Sequence, residues 1–100
     1  MRILQFTVSG QSLKKEGDFS GIVAGTNGYL QTSYNFDNDW KDCKKAAIFS
    51  RYDKDYPVPI INGRCEVPEE VTGCKCWRVR LIGEREGYRI TTNQVEVYQI

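Results

Sequence analysis

The sequence contains no histidine. That removes the commonest general base, the Ser-His-Asp and Cys-His arrangements, and the imidazole ligand that many metal sites use. Charge of one sign is also lacking: 14 Lys and Arg against 13 Asp and Glu leave a net +1. No global field therefore draws the chain to nucleic acid or to anionic lipid. Long apolar runs are missing as well, and nothing approaches the roughly 18 apolar residues that a membrane-spanning helix needs. The opening MRILQFTVSG is too short and too polar for the core of a signal peptide. The expectation is a protein made in a cytoplasm and kept soluble. Gly21, Gly25 and Gly28 lack the Lys-Ser/Thr ending of a phosphate-binding loop. There is no internal repeat and no low-complexity tract.

What is present suits one small globular domain. The chain has 100 residues, 40% of them apolar and 27% charged, within the ordinary range for folded domains. Six Tyr, four Phe and two Trp supply large areas to bury. Strand signals run almost the whole length. Residues 3–8 form a first strand, and residues 9–20 form a polar loop or arm containing Gly10 and Gly17. Residues 21–24 make a short strand, followed by a Gly-Thr-Asn-Gly turn. Residues 29–36 alternate, with Leu30, Thr32, Tyr34 and Phe36 on one face. Residues 37–39 turn the chain toward a strand at 46–52.

The second half continues the pattern. Pro57 and Pro59 make residues 56–61 an edge strand or an irregular one, because proline cannot donate to a ladder. Asn62-Gly63 is a hairpin signal, since a type I′ turn needs positive φ at both central residues. Residues 64–67 return, and Pro68 opens one turn of helix or a loop. Residues 74–83 form the longest clean strand. Trp77, Val79 and Leu81 face inward there, and Cys74, Cys76, Arg78 and Arg80 face outward. Strands at 88–92 and 94–99 follow, with Val95 and Val97 inward. The expected fold is all-β, an immunoglobulin-like antiparallel β-sandwich of about eight strands. Residues 1–20 are the N-terminal strand and polar arm, and residues 21–100 are the sandwich.

Candidate chemistry is sparse. Cys43, Cys65, Cys74 and Cys76 are four potential zinc ligands, but no C-x-x-C knuckle occurs. A disulfide is disfavoured in a reducing compartment, so free thiols are the leading reading. Asp37, Asp39 and Asp42 suggest calcium, yet the EF-hand pattern fails: its sixth position is Asp42 rather than Gly, and its twelfth is Ile48. A turn built on Asp and Asn hydrogen bonds explains the cluster better. Glu69 and Glu70 are adjacent in sequence and would not face each other as an acid and base pair. No catalytic, cofactor-binding or metal-binding residue is assigned, and no enzyme is expected.

Contact surfaces are harder to locate. Lys41, Lys44 and Lys45 form a local basic run, or simply a solvated loop. Trp40 and Trp77 belong in the core. Tyr52, Tyr56, Tyr88 and Tyr98 divide between core and interface, since tyrosine is frequent at contact surfaces. Residues 9–20 have the composition of an arm that orders against a partner, or of a plain surface loop.

Four segments carry a resemblance: FDNDWKDCKKAAIF at 36–49, Tyr56-Pro-Val58, NGRCEVP at 62–68 and RITTN at 89–93. In their order and spacing they resemble the immunoglobulin-like N-terminal domain of baseplate upper proteins and related tail-fibre proteins. Those proteins belong to bacteriophages of Gram-positive bacteria. The similarity spans about residues 21–97. It implies a virion context more than a binding site, because the shared positions are mostly turns and core. In that family a helical or fibrous region usually follows, whereas here the chain stops at Ile100. The expectation is a stand-alone, non-enzymatic virion structural protein, a capsid decoration or tail/baseplate accessory subunit. Its partners would be capsid or tail proteins, with self-association left open and neither nucleic acid nor membrane bound. The alternative is a small phage-encoded cytoplasmic factor that binds a host protein.

Overall fold

Apolar and polar residues alternate along the strands, so each strand has a face to bury. A computed structural model, which describes all 100 residues, shows how those faces meet. In chain order the strands are β1 (Arg2–Ser9), β2 (Ser12–Glu16), β3 (Leu30–Phe36), β4 (Lys44–Arg51), β5 (Lys54–Pro59), β6 (Arg64–Glu66), β7 (Cys76–Arg85), β8 (Tyr88–Thr91) and β9 (Val95–Tyr98). A single 3-10 turn, Asn38–Trp40, joins β3 to β4, and one helical turn, α1 (Glu69–Thr72), joins β6 to β7. One sheet has the order β2-β1-β3-β6; the other has β5-β4-β7-β8, with β9 also paired to β7. The all-β sandwich expected from the sequence is the fold.

The four central strands follow immunoglobulin connectivity. β3 and β6 pair antiparallel in one sheet, β4 and β7 pair antiparallel in the other, and the chain changes sheet at each step between them. β4 and β5 form a hairpin on the free side of that second sheet. Beyond β7, strands β8 and β9 act as one interrupted edge. Three steps along β7, from Ile82 to Val79, face four steps from Thr91 to Val95. The extra residue is a β-bulge.

Three local expectations need correction. Residues 9–20 are not an arm. Gly10, at φ +56°, turns the chain back, and Ser12–Glu16 pairs along β1 as β2. Leu13, only 2% exposed, anchors β2 in the core, so one apolar residue outweighs a polar neighbourhood. Residues 21–24 are not a strand; the stretch only exchanges two backbone hydrogen bonds with Ile100. The sandwich is also not wholly antiparallel, because β1 and β3 run parallel. β2 returns to the starting end of β1, and residues 17–29 cross there to begin β3 on the other side of β1.

The core is aromatic. Phe6 stacks on Tyr34 with ring centroids 5.2 Å apart, and Phe49 meets the edge of Trp77 at 5.6 Å. Trp40 is fully buried, and its indole N–H donates to the Gly10 carbonyl at 2.8 Å. Gly83 makes room for it: a Cβ there would lie 2.7 Å from the Trp40 ring. Asn62 and Gly63 both have positive φ, as a type I′ hairpin requires.

Candidate interaction surface

The residues with candidate chemistry are not brought together. Asp37 accepts hydrogen bonds from the backbone N–H of Gly10 at 2.7 Å and of Asp39 at 3.1 Å, so it ties two turns. Cys43 and Cys65 are buried, Cys74 and Cys76 are half-buried, and all four are free thiols. Cys65 lies 3.2 Å from the Thr32 hydroxyl, and burial pushes its thiol pKa up. Cys74 precedes β7 rather than lying on it. Glu69 and Glu70 sit in the exposed first turn of α1. Strand alternation separates Lys44 from Lys45, whose amine instead lies 5.2 Å from the Phe36 ring centroid.

The tyrosines divide cleanly. Tyr56 and Tyr88 pack partly buried against the core. Tyr52 and Tyr98 are exposed, at 76% and 63%. Both flank one end of the outer face of the sheet that contains β4 and β7. Tyr98 pairs with Cys76 across β9 and β7, and Tyr52 opens the two-residue turn between β4 and β5. Tyr52 has φ +53°. Left-handed backbone costs a non-glycine residue about 1–2 kcal/mol. A bulky aromatic held there, almost wholly in water, gains no burial in return. The two-residue loop itself imposes the positive φ; what local structure does not explain is why a tyrosine fills it.

The rest of this face has the composition of a contact surface. Pairing across β5, β4 and β7 sets Pro59, Ala46 and Ile82 in one row and Pro57, Ile48 and Arg80 in the next. The row after that holds Asp55, Ser50, Arg78 and Glu96. Ile48 is only 7% exposed, so the accessible apolar part is Ala46, Ile82, Pro57 and Pro59; beside arginines and tyrosines, it has the composition that protein interfaces favour. The Pro57 and Pro59 nitrogens also protect the sheet edge. The N–H of Ile60 donates to Lys45 at 2.9 Å, so alternation aims both proline nitrogens outward. An added strand would find no donor at either position. The β5 edge is therefore a poor template for strand addition.

At the Tyr52 end lies a pocket of about 290 Å³ lined by Arg51, Tyr52, Cys74, Lys75, Cys76 and Arg78. Arg51 donates to the Glu70 carbonyl at 2.6 Å, and Arg78 donates to the Tyr52 carbonyl. Beside the pocket, Glu96 accepts a hydrogen bond from the Tyr98 hydroxyl at 2.8 Å and lies 3.6 Å from the Cys76 sulfur. The bond to Glu96 raises the Tyr98 pKa; burial, then Glu96, raises that of Cys76. Both groups are therefore held protonated, and Cys76 is no activated nucleophile.

Two features of this region escape a reading by strand pattern. The strain at Tyr52 depends on the length of the β4–β5 turn. Asn93 sits in the bulge, where its side chain accepts from the Leu13 N–H at 2.7 Å and donates to the Leu13 carbonyl at 3.2 Å. It copies a strand's pairing and closes the sandwich between β2 and the β8–β9 edge. Compared with known protein families, with curated proteins and with solved structures, the chain matches none.

Proposed function

We propose that this protein is a non-enzymatic bacteriophage virion structural protein. It would be a small immunoglobulin-like subunit that docks on the capsid or on the tail and baseplate by the outer face of its five-stranded sheet. The observation that carries docking is Tyr52, strained and exposed at the end of a face that also presents Tyr98, Arg78 and an apolar centre. The particle context rests on the resemblance of residues 36–49, 56–58, 62–68 and 89–93 to baseplate upper and tail-fibre proteins. Those segments are mostly strand, turn and core here, with Ala46, Ile48 and Pro57 of the face among them, so they supply context more than contacts. Many copies on a symmetric particle allow each contact to be modest.

A second reading keeps the face and changes the partner to a host protein in the cytoplasm. It suits Cys74 and Cys76, half-buried at the edge of the face, which would stay reduced in that compartment. Immunogold electron microscopy of purified virions separates the two. Gold over the head makes the protein a decoration subunit, and gold at the tail tip makes it a baseplate component. Unlabelled intact particles, with the protein abundant in infected cells, would overturn the virion reading in favour of the host factor.

A further inference from the structure

The arginines on the outer side of this sheet and around its Tyr52 end are of two kinds. Arg80 pairs with Asp55 at 3.2 Å and Arg89 pairs with Glu84, so their charges are met. Arg51 and Arg78 pair with no carboxylate. Backbone carbonyls hold them instead, Glu70 for Arg51 and Tyr52 for Arg78, and Arg51 also lies 5.5 Å from the centroid of the Tyr52 ring. A guanidinium has five N–H donors, so each is fixed in place with most donors unspent. Lys75, exposed, adds a third positive charge to the same pocket.

No acidic side chain lines that pocket. Two carboxylates of the face already have hydrogen-bond partners. Asp55 accepts from Ser50 at 2.5 Å and pairs with Arg80, while Glu96 accepts from Tyr98. Three cationic residues thus line one pocket that has no carboxylate in its wall, with Glu96 just outside it, opposite Arg78. Carboxylates match the arginine fork and form the stronger, charge-assisted hydrogen bonds. The exposed rings of Tyr52 and Tyr98 offer contact to side chains that a small free anion lacks.

We propose that this pocket receives an acidic peptide segment of a partner protein, with Arg51 and Arg78 grasping a carboxylate and Lys75 supporting the charge. The proposal rests on the docking reading and names the chemistry of the partner at one end of that face. The test is calorimetric titration with a blocked Gly-Glu-Phe-Glu-Gly peptide and its Gln counterpart, each also measured with inorganic phosphate as competitor. Saturable binding of the Glu peptide is expected, with the Gln peptide at least about tenfold weaker, as charge-assisted bonds imply. Arg78→Gln should lose about tenfold and Lys75→Gln, whose side chain supports nothing else, several-fold. Arg89→Gln, outside the pocket, should stay within about twofold. Equal affinity for the two peptides, or an equal loss in Arg89→Gln, overturns the proposal. So does phosphate binding as tightly as the peptide, which would make this a small-anion site. Co-sedimentation with purified particles is measured in parallel. Peptide binding without co-sedimentation sinks the virion reading and keeps the pocket; co-sedimentation without peptide binding does the reverse.

Discussion

At the scale of single residues, two tyrosines hold opposite positions. Tyr52 is exposed and strained. Asparagine tolerates left-handed backbone far better than tyrosine. Tyr52→Asn should therefore leave stability unchanged or raise it by up to about 1 kcal/mol, while weakening attachment to the partner. Urea denaturation and co-sedimentation check the two halves, and a clear fall in stability would make Tyr52 structural. Tyr34 is buried, and its hydroxyl lies by Thr32 and Cys65 without a hydrogen bond of acceptable geometry. Burial above all raises its pKa well above the ordinary value near 10.0. The folded protein keeps a proton there that the unfolded chain releases. This contribution to stability is thus whole below about pH 10 and is lost as pH rises further, by about 1.4 kcal/mol per unit. Tyr34→Phe should be at least as stable as the parent at pH 7 and should lose less between pH 9 and 11. Urea midpoints across that range decide it, and parallel losses would remove the role assigned to Tyr34.

At the scale of elements, the informative joint is the bulge between β8 and β9. Asn93 makes both of its side-chain bonds to the backbone of Leu13, on an edge strand of the opposite sheet. Its removal leaves a half-buried N–H and carbonyl without partners, at a cost of about 1–3 kcal/mol. Asn93→Ala should speed amide exchange at Leu13 and along β2 while leaving β4 and β7 protected, as hydrogen exchange resolved by residue would show. Uniform acceleration through both sheets would instead mean global loss of stability. The strand pattern made the faces of β3 and β7 legible in advance, because Leu30, Thr32 and Tyr34, and then Trp77, Val79 and Leu81, alternate without a break. It did not reveal β2. Leu13 is the one apolar residue of SLKKE, and its value depends on β1 lying alongside.

For the whole molecule, the N-terminal segment decides whether there is a sandwich at all. β1 and β2 are half of the four-stranded sheet and bring Leu4, Phe6, Val8 and Leu13 to the core. Deletion of residues 1–20 should abolish folding rather than trim a contact arm, with loss of the cooperative thermal transition and of near-ultraviolet dichroism. A truncated chain that melts cooperatively would show these strands to be dispensable. The proposed docking face lies on the other sheet, so substitutions at Tyr52, Arg78 or Tyr98 test that proposal without touching this requirement.

The sequence by itself determined the class of fold, the type I′ turn at Asn62-Gly63, the shared faces of β3 and β7 and the exclusion of the Pro57–Pro59 segment from a sheet's interior. Each follows from local chemistry: period-two alternation, positive φ at Asn-Gly, and a missing N–H at proline. Tertiary structure alone decided the parallel pairing of β1 with β3, the lock between Asn93 and Leu13, and the sorting of the four candidate tyrosines. It also decided which arginines keep their charge unmet. These depend on which segments meet across the two sheets, and residues separated by tens of positions carry no local signal of that meeting.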